Sequence, residues 1–451
     1  MKRTAPLSDP KWYTIGWITA LEKELTVAIA VLDEEHEMPL NFTKHVKDTN
    51  SYAWGRIGQH NIVITSLAAG RYDAVSAATT AWSMMSSLPH LRFALRVGIG
   101  SGIPRPNFDI RLGDVVVSHP AGVSGGVIQY DIGKLISTKT FERVGQLDAP
   151  PEVLLKRLQF LKATHRLMGS RIPNILKKMT EDYPMLCEEQ DGDAAFVYQG
   201  SHNDRLFGAT TVHRDVPVAA CDNGDLEQDR VCAQCDGTEE IRRKDRRPQP
   251  FIHYGIIALG DECICFEMEA AGLMNSIPCL VIRGICDYAD THKNDRWQNY
   301  AAATAAAFAK ELLEDLDAVD VGGTSEMQQS INKLWTVVVL LEYGASVTDV
   351  DAEGLNALHY ASQGGNGNVL QYIPQTLQND HLEAVILSAD SQVLNVLHHL
   401  VTWNVYVDPG ALNLLCQEQV SAADLDNGGM SPIAMYLNQF SLSWDTEKLR
   451  L

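Results

Sequence analysis

The chain has 451 residues, too many for one ordinary hydrophobic core, so two or three domains are expected. A formal net charge of −20 is the wrong sign for a nucleic-acid-binding protein, and 45% hydrophobic with 21% charged residues excludes a disordered chain. No apolar run reaches the about 18 residues of a membrane span, and MKRTAPLSDPKWYTIGW at the start lacks the continuous apolar core of a secretory leader. Nine scattered cysteines, four of them in apolar context from Cys263 to Cys286, read as reduced thiols of an intracellular protein, cytoplasmic with the nucleus also open.

In chain order, residues 13–20 (YTIGWITA) predict a buried strand, followed by an amphipathic helix from Leu25 to about Glu35. Glu24 falls at this strand-to-helix junction, where α/β sites collect residues, although the helix dipole alone would also favour a glutamate there. Tyr52–Ile57 and Asn61–Leu67 predict a hairpin, and Ala74–Met85 an alanine-rich helix. Leu91–Val97 is a further strand, and the glycines of Gly98-Ile99-Gly100-Ser101-Gly102 predict a turn directly after it, where backbone amides can approach a ligand. Asp114–Ser118 is another strand. Gly122–Gly126 begins a loop carrying Tyr130, Asp131 and Lys134 that is placed to fold over a site.

Residues 150–181 predict two helices, with Leu, Ile and Met at helical spacing. From about 182 to 250 the pattern dissolves into Asp, Gly, Arg and Gln, a long insertion for a compact domain. Within it Cys221, Cys232 and Cys235, with His213 at a distance, invite a zinc reading through the CxxC half-site. The second half-site is missing, so loop thiols and no metal or other cofactor are expected. Phe251–Leu259 is a strand, and the stretch CFEMEAAGLMNSIPCLVIRGICDYAD (residues 265–290) follows. There Glu267 and Glu269 precede a small-residue helix, and Asp287 comes shortly after the apolar strand Cys279–Ile282, at the mouth of an α/β site. Carboxylates arriving from two directions suit a reaction that holds ribose hydroxyls and protonates a leaving group. Asn299–Leu316 predicts a helix that closes the domain.

The C-terminal part differs. In VVVLLEYGASVTDVDAEGLNALHYAS (residues 337–362), Gly344-Ala345, Asp351, Gly354 and Leu358-His359-Tyr360-Ala361 have the spacing of an ankyrin repeat. A poorer copy stands at 424–437, and the interval leaves room for a degenerate repeat around Leu382–Trp403.

Read together, Gly16–Glu24, Gly98–Gly102, Asp114–Ser118 and Phe266–Asp287 make the chain resemble the nucleoside phosphorylase and nucleosidase superfamily, in the version that fungal proteins join to ankyrin repeats. The resemblance implies a domain over 11–316 with an insertion at about 182–250, a linker at 317–333 and degenerate ankyrin repeats over 334–451. The implied fold is α/β, a three-layer α/β/α sandwich with a mixed, partly barrelled sheet, then a small all-α repeat region. It further implies cleavage of the N-ribosidic bond of a purine nucleoside or nucleotide. On this resemblance Glu24 positions the attacking water, Met268 lines the sugar, Glu269 accepts ribose hydroxyls with Glu267 in support, and Asp287 protonates the purine. Gly100 and Ser101 lie at the nucleophile-binding turn, with Arg96, Arg71 and Arg105 as phosphate partners. Because Ile99 stands where phosphorylases of this kind carry a serine, water is favoured over phosphate as acceptor. The connection at 260–265 is shorter than the resemblance requires, which keeps a second reading open: a catalytically impaired nucleoside-binding regulator whose ankyrin repeats recruit a protein partner. The resemblance also implies a homo-oligomer.

Overall fold

The computed structural model describes residues 3–4, 7, 9–105, 108–122, 124–128, 133–137, 140–143, 147–190, 192–208, 210–213, 235, 237–246, 249–257, 263–267, 269–274, 277–293, 295–324 and 327, with isolated positions at 355, 359, 395, 398, 425–427 and 430–432. The chain divides into two units, Met1–Gln328 and Gln329–Leu451. Tyr130, Asp131 and Met268, and most of the residues read as ankyrin repeats, lie outside the described residues.

The first unit is built on one mixed sheet. Its strands are β1 (Arg3–Thr4), β2 (Tyr13–Thr19), β3 (Glu34–His36), β4 (Ala53–Ile57), β5 (His60–Ser66), β6 (Phe93–Gly102), β7 (Val115–Ser118), β10 (Ile252–Gly255), β11 (Cys265–Phe266) and β12 (Cys279–Asp287). The order across the sheet is β1-β3-β4-β5-β2-β6-β12-β7-β10, with β11 pairing β6. Parallel pairs (β5-β2-β6-β12 and β7-β10) alternate with antiparallel ones (β3-β4-β5 and β12-β7). A separate hairpin joins β8 (Gly133–Ser137) to β9 (Thr140–Arg143).

Helices cover both faces. On one, α6 (Gln298–Asp315) lies against β6 and β12, flanked by α1 (Glu22–Ala30), α3 (Glu152–Met168) and α4 (Ile172–Asp182). Ile15, Trp17, Phe93, Leu95, Val97, Leu280 and Ile282 point into this layer and form the main core with the alanine face of α6. The alanines let the helix come close: a Cβ on Gly284 would collide with the backbone of Ala301. On the other face α2 (Ala74–Ser87) packs against α5 (Ala270–Met274), and Met84 of α2 closes over Gly16. Strands buried on both faces carry near-continuous apolar sequence, which is why β2, β6 and β12 read so clearly.

Three sequence expectations differ from the structure. The helix after β2 ends at Ala30, and Glu34–His36 forms a strand whose amphipathic pattern is too short to separate from the helix by periodicity. The glycine run 98–102 is no turn: it continues β6 to Gly102, and its glycines answer a crowding described below. Residues expected to begin a linker instead form α7 (Ala318–Gly322). Arg92 then donates to the Thr324 carbonyl (2.6 Å), and the Met327 amide donates to the Leu91 carbonyl (2.7 Å). The insertion also has order where it is described. Arg243 pairs with Asp204 at 2.8 Å, and the buried Asp114 accepts from Arg246, from the Phe251 amide (2.9 Å) and from the Arg111 amide (2.9 Å).

In the second unit, His398 is fully buried, bonds Asn395 and reaches the Met430 carbonyl at 3.1 Å, 32 positions along the chain. That interval is close to one ankyrin period.

Candidate active site

The site begins where the sheet splits. β2 pairs with β6 only as far as Ile18 opposite Arg96, and β11 takes over the same edge at Ser101 and Gly102. Between them one edge of β6 is uncovered, and Glu24 fills the gap by accepting the Ile99 amide through Oε1 (2.8 Å). Its other oxygen accepts the amides of Ala20 (2.7 Å) and Leu21 (3.2 Å) at the start of α1. Glu24 is thus a helix-capping residue and, in the same position, the carboxylate that closes the split.

Arg96 and Arg283 face this gap from neighbouring strands, and both are fully buried. The register sets Arg283 opposite Gly98 and Val281 opposite Arg96, so the two guanidiniums share the α2/α5 face of the sheet. Arg96 lies 3.4 Å from Glu24 Oε2 and 3.4 Å from Glu269 Oε2, and donates to the carbonyls of Ile18 and Val97. Arg283 pairs closely with Glu267 and at 3.4 Å with Glu269. Glu267 in turn accepts the Ala270 amide (2.9 Å) at the head of α5. Burial alone would lower the Arg283 pKa, but Glu267, Glu269 and Glu24 outweigh it and hold the guanidinium charged. Three carboxylates therefore meet two guanidiniums, leaving a formal excess of one negative charge around two fully buried arginines.

This crowding explains the glycines. A Cβ on Gly98 would overlap the Glu24 carboxylate and come within 2.6 Å of Arg283 Nη1. One on Gly100 would meet Cys265 Sγ at 2.9 Å. Backbone amides offered to a ligand by a turn were the expectation; side chains that need the room are the finding.

Asp287 ends β12 opposite Ser101, and both are buried. Its Oδ1 accepts the Ala289 amide at 2.8 Å, with Ala289 in the left-handed region at φ 57°. The left-handed conformation costs about 1–2 kcal/mol for a residue with a Cβ, a strain typical of functional loops. Lys293 Nζ stands 3.7 Å from Oδ2. The Cys265 thiol is pushed up first by burial, against the pull of Arg283, and further by Glu267 and Asp287, so it feels both ends of the site. Arg71 is exposed at the turn before α2, and Arg105 is held at a short backbone bridge to Phe108. Residues 258–262, in the short connection, lie outside the described residues.

Arg283 is the residue the sequence reading passed over, although an arginine inside an apolar strand (VIRGIC) must find a partner to be buried at all. Lys293 carries no comparable signal. A polar cavity of about 590 Å³, lined by Arg111, Arg243, Arg246, Tyr198 and Tyr300 among others, lies beyond the start of β7. Arg243 and Arg246 are already paired with Asp204 and Asp114.

Residues 332–373 match the family model described as ankyrin repeats (many copies). The chain carries an ankyrin-repeat segment. This segment belongs to the second unit, where Leu355 and His359 are its described positions. Over 325 residues, 68% of its length, the chain is 41% identical to a nucleotide-binding leucine-rich repeat (NLR)-like protein of Hyaloscypha variabilis. The match spans only 30% of that relative. Among solved structures, the chain is similar to the 5'-methylthioadenosine/S-adenosylhomocysteine nucleosidase of Neisseria meningitidis, at 14% identity and a TM-score of 0.39, covering 67% of this chain and 99% of that one. It is similar also to the futalosine hydrolase of Helicobacter pylori, at 15% identity and a TM-score of 0.38, covering 68% and 100%. Among the described residues, no helix is long and apolar enough to cross a membrane.

Proposed function

We propose that the first unit cleaves the N-ribosidic bond of a purine nucleoside or nucleotide, with water as acceptor. The observation that carries this reading is the meeting of Glu24 and Glu269 on one buried guanidinium, 3.4 Å from each, beside the strand end that bears Asp287. Breaking the bond between the anomeric carbon and the purine nitrogen leaves positive charge on the sugar and an electron pair on the base. The formal excess of negative charge among Glu24, Glu267 and Glu269 is suited to the first, and a proton from Asp287 to the second. The bonds of the Glu269 carboxylate to described residues run through Oε2, which leaves Oε1 for ribose hydroxyls. Glu24 would orient the water through the remaining acceptor capacity of Oε1. Phosphate is the less favoured acceptor, because Arg96 is committed to two carboxylates and two carbonyls. The ankyrin segment would recruit a protein partner, and self-association of the chain belongs to the same proposal.

Incubation with a panel of purine nucleosides and nucleotides, with and without phosphate, tests it by reading free base and ribose 1-phosphate. Base release without phosphate is expected, and Asp287→Asn should slow it about 10²–10⁴-fold while leaving the fold intact. Full activity in that variant would remove Asp287 from the mechanism. A second reading, nucleoside binding without cleavage, is favoured by one observation: three amides and Arg96 already engage Glu24. Calorimetry showing tight binding with no base released would select it.

A further inference from the structure

His213, Cys235 and His292 come together away from the carboxylates, each offering a ligand atom within 4.8 Å of the others. Cys235 Sγ lies 3.3 Å from His213 Nδ1. His292 is 6% exposed, yet among the described residues neither ring nitrogen has a hydrogen-bond partner. Its Nδ1 stands 3.5 Å from Asp290 Oδ2, longer than a well-formed hydrogen bond. Phe207 stacks on the ring at 4.1 Å between centroids and fixes its plane. A buried imidazole with two unsatisfied nitrogens is costly unless something else binds it.

We infer that these three side chains form a binding site for zinc or a similar late transition metal. A thiolate and two imidazoles are the donor set such ions prefer, and one that excludes calcium and magnesium. With metal–ligand bonds of about 2.0–2.3 Å, donors around a tetrahedral ion stand about 3.3–3.8 Å apart. The Cys235–His213 pair is already at that spacing, and His292 needs to approach by no more than about 1.5 Å. Asp290 beside the ring supplies the carboxylate neighbour that metal-binding histidines commonly have.

The position gives the ion a purpose independent of whether the first unit cleaves nucleosides. His213 and Cys235 belong to the 182–250 insertion, whereas His292 follows Asp287 by five positions. The His213 amide already donates to Thr291 Oγ1 at 3.0 Å. A metal here would pin the insertion to the loop that begins at Asp287 and includes Lys293, a structural role rather than a catalytic one.

The test uses the full chain, without a polyhistidine tag, equilibrated with zinc and dialysed. One bound zinc per chain is expected by elemental analysis, with a fall in melting temperature on adding a chelator. His292→Ala and Cys235→Ser should each weaken zinc at least about tenfold in competition with a chromophoric chelator. Cys187→Ser, at an exposed thiol outside the cluster, should bind like the parent. Cobalt substitution is a second readout, with circular dichroism confirming the fold of each variant: thiolate-to-metal absorption should appear in the parent and vanish in Cys235→Ser. Absence of zinc from the parent, or zinc held equally by both cluster variants, would overturn the inference.

Discussion

Gly98 shows most directly how single residues are constrained here. Its missing side chain leaves space for the Glu24 carboxylate and the Arg283 guanidinium, so Gly98→Ala must displace one of them. A loss of about 1–3 kcal/mol in stability, read by denaturant unfolding, is expected from such overpacking, together with reduced base release. Arg283→Leu should cost more, about 3–5 kcal/mol, because it strands the buried Glu267 and half-strands Glu269. A variant as stable as the parent would show that these carboxylates do not depend on it. The thiols make a separate forecast. Burial raises Cys265 and Cys286 far above the ordinary thiol range and pushes Cys279 up to about 12, whereas Cys187 is exposed. The thiolate is the reactive form, so brief alkylation at neutral pH should label Cys187 and spare the other three, as mass spectrometry of peptides would record.

Among the described helices, α6 buries the most residues, and it carries an unusual pair of buried charges. Lys310 donates to the Val31 carbonyl (2.8 Å) and to Asp33 (2.6 Å), tying α6 to the end of α1. Glu311 accepts from His165 (3.0 Å), Ser170 (2.6 Å) and the Arg171 amide (2.7 Å), which fixes the junction of α3 and α4. Burial alone would raise the Glu311 pKa, but these donors outweigh it and hold the carboxyl below the usual glutamate range. A carboxyl lowered in the folded state stabilises above its unfolded pKa, about 4.3, and loses that contribution as pH falls through the folded value. Glu311→Gln should therefore cost about 1–3 kcal/mol at neutral pH, with the gap to the parent closing under acid conditions. A gap independent of pH would mean that packing, and not charge, sets the contribution of Glu311. Strand β6 is the other decisive element: β2 covers the first half of one edge and β11 the second, and the interval between them becomes the site.

For the whole molecule, the division at Gln328 predicts that residues 1–328 fold by themselves, since Thr324 and Met327 near its end bond back to Arg92 and Leu91. That fragment should melt cooperatively and keep any base-releasing activity. An insoluble fragment would show that the second unit is needed for folding. Much of this architecture was legible in the sequence. Unbroken apolar runs announced β2, β6 and β12, and Glu24, Glu269 and Asp287 were singled out by their places at strand ends and in motifs. Periodicity and spacing are local properties; they sufficed for the elements, while the roles of the carboxylates came from the resemblance. They did not show that the glycines of 98–102 clear space inside a strand, or that Arg283 balances the acids. Nor did they show that His292 joins His213 and Cys235, which the chain separates by 79 and 57 positions. Those facts come from burial: a charge or imidazole removed from water requires a partner, and which partner it finds depends on how the sheet brings distant strands and loops together.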